Sequence, residues 1–194
     1  MLAGQKSKGN NGLENALFPL EYMYLTQGEN TGNHTGNSSL AMDFQGWGSS
    51  GRIYNCPYYS PISLQCVYLD GTSGVYFESL NMVNFIDGTV DYLSIAFAHD
   101  DNWQSNYVGK TFNQGDLIGH TGTSGVATGD HVHIQIARGK FINYSNFIVN
   151  TKSLYDTLGV NDTILYNAGS YNWLSFLYNY QKGNLIRLFN SNVL

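Results

Sequence analysis

Charged side chains are scarce in this chain. Asp, Glu, Lys and Arg make up 12% of its 194 residues and leave a net charge of −5, whereas about 25% of the residues in a typical globular domain are charged. We therefore expect a polar but largely uncharged surface, built from Gly, Asn, Ser, Thr and Tyr. The acidic balance gives no electrostatic reason to expect nucleic acid as a partner.

Cysteines and long apolar runs are also few. Cys56 and Cys66 are the two cysteines, too few for a disulfide scaffold. A local disulfide and two free, partly buried thiols both stay open. No apolar run approaches the roughly 18–20 residues that a membrane-spanning helix needs, so no membrane span is predicted, and the polar start shows no signal peptide.

The length of the chain fits one domain with an elaborated end. Residues 1–15 are rich in Gly, Asn and Lys, and we predict a flexible lead-in there. Residues 16–145 are predicted to form the main domain. After about residue 145 the pattern changes, and residues 146–194 are predicted to be an extension packed on the same domain, with short helices over 153–158 and 170–178.

Short runs of β-branched and aromatic residues predict a mainly β fold with an antiparallel sheet as its core and minor helix. Turns such as Asp70-Gly71 and Asp87-Gly88 separate the runs, as is typical of hairpins. Residues 45–52 are predicted to be turn. The predicted strands cover residues 17–25, 40–44, 62–68, 75–80, 82–86, 92–98, 117–118 and 131–136.

A glycine-rich turn followed by two histidines is the strongest chemical signal in the chain. Residues 122–130 lead into His131-Val132-His133 on a predicted strand. Because successive side chains on a strand point to opposite faces, the two imidazoles lie on the same face. Such a pair suits a metal ion, or one metal ligand beside one acid–base group.

Other candidate ligands lie upstream of this pair. His34 is in a Gly-rich loop, Asp43 follows nine residues later at a strand start, and His99 ends the strand over 92–98. Zinc hydrolases commonly use three His and carboxylate ligands and leave a fourth position for water. His34, Asp43 and one histidine of the pair would fill that role, while the other histidine and His99 act on the substrate. His120 is interpreted as structural.

Taken in order, these motifs resemble the lysostaphin-type zinc metallopeptidases, which include LytM-like and LasA-like enzymes. The resemblance covers about residues 17–140. Two departures stand out: the gap between His34 and Asp43 is long, as in LasA-like members, and Gly129-Asp130-His131 stands where Gly-Pro-His is more usual. The matching segments are His34…Asp43-Phe44, Phe97-Ala98-His99, Gly115-Asp116-Leu117-Ile118-Gly119, Thr121-Gly122-Thr123-Ser124-Gly125 and Asp130-His131-Val132-His133.

The resemblance implies one zinc ion per chain, held by His34, Asp43 and His133, with His99 and His131 as catalytic histidines. It also implies a shallow groove between loops at one end of the sheet, and hydrolysis of stem peptides or cross-links of bacterial peptidoglycan. Glycine bridges, D-Ala–diaminopimelate links and D-Ala–Lys links all stay open as the bond that is cut. Tyr22 and Tyr24 are candidate donors to the oxyanion, since they lie near the site in sequence.

The Tyr- and Asn-rich loops and the C-terminal extension look like those of family members in phage tail proteins that digest the cell wall. We therefore expect an extracellular or virion location, with other phage tail proteins or a fused lysozyme-like domain as partners. Two alternatives remain: a catalytically degenerate domain serving as a structural or wall-binding tail component, and a carbohydrate-binding module whose histidines are incidental. The presence of all five expected site residues favours the enzyme.

Overall fold

The computed structural model describes residues 1–48, 50–154 and 157–158, together with the backbone of residues 164–165. This part of the chain is mostly β-strand with one short α-helix, which confirms the predicted mainly β class. The helices predicted over 153–158 and 170–178 fall partly or wholly outside the described residues. Within the described part, no helix is both long enough and apolar enough to cross a bilayer.

The strands are short and follow one another closely along the chain. They are β1 (Tyr22–Gln27), β2 (Met42–Gly48), β3 (Gly51–Ile53), β4 (Pro57–Tyr59), β5 (Leu64–Leu69), β6 (Val75–Ser79), β7 (Val83–Asn84), β8 (Val90–Asp91), β9 (Leu93–Ala98), β10 (Thr111–Phe112), β11 (Leu117–His120), β12 (Val132–Arg138), β13 (Thr151–Lys152) and β14 (Ile164–Leu165). The helix is α1 (Tyr144–Val149), capped at its start by the Asn143 side chain, which accepts from the Asn146 amide. Two short 3₁₀ turns lie at Gly36–Ser38 and Trp103–Ser105.

Ten of these strands form one large sheet in the order β10, β5, β6, β9, β12, β2, β1 and β14, with β13 beside β12 and β3 beside β2. Every pair in it is antiparallel except β1 with β14. Two small sheets join β11 to β4 and β7 to β8. Strand β12, which contains His133 and begins directly after His131, therefore lies inside the sheet with β9 on one side and β2 on the other.

The apolar core covers one face of the large sheet. Phe18 and Phe44 meet edge to face with their ring centroids 5.1 Å apart, and Phe97 stacks on Tyr58 at 4.8 Å. Alternate residues of β2 and β12 point into this core, as the period of a β-strand requires. The residues between them, which include the candidate ligands, point to the other face.

The prediction of turn over residues 45–52 is wrong for most of that stretch. Strand β2 continues to Gly48, and β3 pairs back onto it. Glycine is disfavoured in strands, but at Gly46 a close approach requires it: a Cβ there would lie 2.3 Å from the Cβ of Cys56. The first strand also begins later than predicted, at Tyr22.

Residues 1–15 contact the rest of the domain at several points. The Gly4 amide donates to the Gly115 carbonyl, and Gln114 donates to the carbonyl of Asn15. The side chain of Met1 is buried. The segment expected as a lead-in thus packs against the turn that precedes β11.

The two cysteines are free thiols, and both are buried. Of the two alternatives left open by the sequence, the structure has the unbonded one. Burial raises the pKa of the Cys56 and Cys66 thiols to about 11, so both stay protonated and unreactive at neutral pH.

Replacing Phe97 by Ala should lower the free energy of unfolding by about 3–5 kcal/mol, because the large buried ring leaves a cavity beside Tyr58. Urea denaturation followed by tryptophan fluorescence measures this. The matched control is Tyr107→Ala, which truncates an aromatic ring that is 64% exposed and should change stability by less than about 0.5 kcal/mol. Equal losses in the two variants would contradict the assigned core.

Candidate metal centre

The register of β12 against its two neighbours brings the candidate residues together. His133 lies directly opposite Asp43 of β2 on one side and opposite Ala98 of β9 on the other. His99 follows Ala98 immediately, so the end of β9 positions a third functional side chain close to Asp43 and His133. His131 lies two residues before His133 and points to the same face.

Three potential ligand atoms converge on a single point. The Oδ1 atom of Asp43 lies 2.9 Å from Nδ1 of His133 and 3.2 Å from Nε2 of His34. All three atoms lie within 4.8 Å of one another. These are the three residues predicted as metal ligands, and the structure places them together although their sequence positions span about half the chain.

The His34 side chain is oriented by the loop that carries it. Its ring is almost completely buried, and its Nδ1 lies 3.0 Å from the carbonyl oxygen of Gly28. Because a carbonyl can only accept, Nδ1 carries the proton and donates it to Gly28. Nε2 therefore faces Asp43: it donates to the carboxylate when the imidazole is protonated, and it offers its lone pair to a metal ion when the imidazole is neutral, as a metal-ligating histidine must.

His99 and His131 lie beside this trio with their rings 4.5 Å apart. The Nδ1–H of His99 donates to the Ser124 carbonyl at 2.8 Å, and that of His131 donates to the Gly129 carbonyl at 2.7 Å. The Nε2 atom of His131 lies 3.7 Å from Oδ2 of Asp43. Each ring thus has one nitrogen fixed by the backbone and the other left available for proton transfer.

The glycine-rich turn ties the two catalytic candidates together. Gly122 exchanges backbone hydrogen bonds with His131, and the Ser124 amide donates to the His99 carbonyl. A Cβ at Gly122 would lie 2.4 Å from that same carbonyl oxygen. Only glycine allows this approach. His99 itself has φ of 79°, a left-handed conformation that non-glycine residues seldom adopt.

The electrostatics of the site centre on Asp43. Burial opposes its ionisation, but hydrogen bonds with His133 and His34 outweigh burial and hold the pKa of Asp43 well below its usual range. Burial likewise opposes protonation of His34, yet its contact with Asp43 raises the pKa of this imidazole. Burial lowers the pKa of His99. The site therefore combines a permanent carboxylate with a neutral His99.

Two imidazole nitrogens and one carboxylate oxygen form the donor set of a catalytic zinc site. Zinc ligands at about 2.0–2.2 Å in a tetrahedral arrangement lie roughly 3.3–3.5 Å from one another, close to the separations found here. The chemistry and the spacing of these donors fit zinc.

Three further residues lie close to these side chains in the sequence or in the structure. Asp100, which follows His99, is buried and accepts from the amides of Asn102 and His120, so its carboxylate caps a turn. Tyr24 lies opposite Gln45 on β2 and packs against Trp47. Arg52, which no sequence motif marks, lines a cavity beside Asp43 and His131.

Comparisons with known proteins give curated relatives and solved structures, while no family model matches the chain. One curated relative is Morphogenesis protein 1 of Bacillus phage B103, 34% identical over 175 residues, which cover 86% of this chain and 46% of that protein. The chain thus spans less than half the length of this relative.

The solved structures include the antimicrobial peptidase lysostaphin from Staphylococcus simulans, at 17% identity over 73% of this chain and 51% of that chain, with a TM-score of 0.45. A zinc-containing peptidase from Vibrio cholerae matches at 17% identity over 69% of this chain and 43% of that chain, with a TM-score of 0.42. Both of these structures are peptidases, one of them lysostaphin itself, and Morphogenesis protein 1 is a phage protein, which agrees with the resemblance inferred from the motifs.

Purified protein should bind about one zinc ion per chain, and His34→Ala, Asp43→Ala and His133→Ala should each lose it. Removing a ligand should cost more than the roughly 10–100-fold in affinity that changes next to a ligand cause. Plasma mass spectrometry and competition with a chromophoric chelator measure content and affinity. His131→Ala and His120→Ala are the histidine controls, and both should keep the metal. Loss of zinc from His131→Ala would contradict the division of roles between His131 and His133.

Proposed function

We propose that this domain is a zinc-dependent metalloendopeptidase that hydrolyses peptide bonds of bacterial peptidoglycan, in stem peptides or cross-links. One observation carries the proposal: Asp43 is shared by His34 and His133 while two further histidines, His99 and His131, face the same point. Zinc bound by the first three residues would polarise a scissile carbonyl and lower the pKa of water to about 7.

His99 and His131 handle the protons of this reaction. Attack of water on the carbonyl carbon forms one C–O bond and releases a proton, and cleavage of the C–N bond requires a proton on the leaving amine. Because Nδ1 of each ring donates to a carbonyl, the free Nε2 nitrogen is the one that accepts and returns the proton. The neutral state of His99, favoured by its burial, suits it to accept first.

The alternative of a degenerate domain is less well supported. A degenerate relative would lack a ligand or a catalytic histidine, whereas all five side chains converge here. A carbohydrate-binding module gives no reason for three imidazoles to surround one largely buried carboxylate.

The phage relative supports a setting for this activity. Its name refers to morphogenesis of a bacteriophage, so the proposal includes a place in the virion, or outside the cell, with the bacterial cell wall as the target. Because the chain spans under half of that relative, the same proposal includes partners beyond this domain, either other tail proteins or a fused lysozyme-like domain. Residues 146–194 are proposed to pack on the same domain.

Replacing His131 or His99 by Ala should lower kcat on purified peptidoglycan by about 10²–10⁴-fold, because each change removes a proton acceptor. Zinc content should stay near that of the unmodified protein, which separates loss of chemistry from loss of metal. His120→Ala is the matched control and should keep full activity. The measurement is release of new amino termini, with the cleaved bond identified by mass spectrometry of the fragments.

Release of new amino termini should be measured in parallel on three peptidoglycans, which contain glycine bridges, D-Ala–diaminopimelate links and D-Ala–Lys links. No new amino termini from any of them with the zinc-loaded protein would overturn the proposed activity. Appearance of new reducing sugar ends instead would identify a glycosidase.

A further inference from the structure

A single arginine lies beside the candidate metal centre with little to neutralise it. Arg52 lies opposite Trp47 in the pairing of β3 with β2. Paired residues of antiparallel strands share a face, and Trp47 shares its face with Gln45 and Asp43 because these alternate along β2. Arg52 is therefore on the side of the sheet that carries the metal ligands.

The arginine borders an open cavity of about 260 Å³ that reaches the site. Asp43 and His131 form one part of its lining, and Thr26, Gln45, Arg52 and Thr128 form another. Every one of these side chains carries a polar group, so the cavity offers hydrogen bonds rather than apolar contact. A substrate with its scissile bond at His131 would extend along this lining.

Two contacts hold the guanidinium in place without using all its donors. Its Nη2 donates to the backbone carbonyl of Asp130 at 2.7 Å, and its Cζ atom lies over the Tyr54 ring, 4.5 Å from the ring centroid. The Nε atom is buried and has no acceptor in the described part of the chain. Across the described residues, no carboxylate comes within ion-pair distance of Arg52.

The acidic groups nearby are already engaged. The carboxylate of Asp130 accepts from the Thr121 hydroxyl and the Asn55 amide, and that of Asp43 is surrounded by imidazoles. A partly buried guanidinium with spare donors is suited to a carboxylate, since it offers a fork of N–H groups and a permanent charge.

We propose that Arg52 forms a carboxylate-binding subsite next to the metal centre and selects peptides that carry a carboxylate close to the scissile bond. This inference rests on the proposed function. In a D-Ala–diaminopimelate link, the carbon attached to the scissile nitrogen also carries a carboxylate. In a D-Ala–Lys link that carbon is a methylene, and a glycine bridge has no charged group there. The subsite therefore favours the diaminopimelate link among the three.

The test uses the zinc-loaded protein and a purified stem-peptide dimer joined by a D-Ala–diaminopimelate link. Two amidated forms of the same dimer show which carboxylate of the substrate Arg52 binds. One form is amidated at the carboxylate beside the scissile bond, and the other at the C-terminus of the acceptor stem. Charge-assisted hydrogen bonds contribute enough to predict a roughly 10–100-fold drop in kcat/KM when the carboxylate beside the bond is amidated. Amidation of the C-terminus should have little effect.

Arg52→Gln should abolish this preference, so that kcat/KM is about equal for the free dimer and the dimer amidated beside the bond. Arg52→Lys should restore part of the preference, because Lys keeps the charge but not the forked pair of N–H donors. The matched control is Arg138→Gln, which removes an arginine that pairs with Asp87; it should keep the preference. A role of Arg52 in merely positioning His131 would instead lower kcat equally on all dimers. Zinc content is measured for each variant.

Retention of the preference in Arg52→Gln, or its absence in the unmodified protein, overturns the subsite. A preference that follows the C-terminal amide instead would also overturn the placement beside the bond. If the zinc-loaded protein hydrolyses no dimer, the proposed activity fails, and equilibrium binding of the free and amidated dimers then tests the subsite alone. Equal affinities would overturn it, while tighter binding of the free acid that Arg52→Gln abolishes would support it.

Discussion

The pairing of β12 with both β2 and β9 is the constraint on which the site depends. It sets His133 opposite Asp43 on one side and opposite Ala98 on the other, and this one register places four of the five site residues. A shift by one residue would turn His131 and His133 into the core and expose Val132 and Ile134. Since both of these apolar residues are fully buried, the hydrophobic effect that stabilises the sheet also maintains the geometry of the metal centre.

Backbone carbonyls fix the orientation of the histidine rings. Gly28, Ser124 and Gly129 each accept from the Nδ1 atom of a different histidine, and all three belong to loops rather than strands. The strands β9 and β12 thus position His99, His131 and His133, a loop positions His34, and loop carbonyls determine which nitrogen of His34, His99 and His131 faces the centre. In a chain with few charges, three of the four ion-pair contacts of the described residues join an imidazole to the Asp43 carboxylate.

Much of this arrangement could be predicted from the sequence. Alternation on a strand was sufficient to place His131 and His133 on one face, and the strand over 92–98 ends at His99 as expected. The contact between His34 and Asp43 could not be derived from local rules, since the loop between them has no periodic pattern. The extension of β2 to Gly48 was missed because its glycines oppose strand formation, and the approach to Cys56 that requires Gly46 is a tertiary contact. Arg52 carries no sequence signal at all: only the pairing of β3 with β2 places it near the metal centre.

The order of strands along the chain has a consequence for how the protein folds. Asp43 and His133 are 90 residues apart. Strand β12 comes late in the sequence but occupies the middle of the sheet. Until β12 is inserted, β2 and β9 each present an unpaired edge, and such edges invite pairing with other molecules. Bringing together residues so far apart in the sequence costs chain entropy before any contact compensates for it, and this cost slows folding. The metal site therefore cannot assemble before the central strand is in place, so its formation reports on completion of the fold.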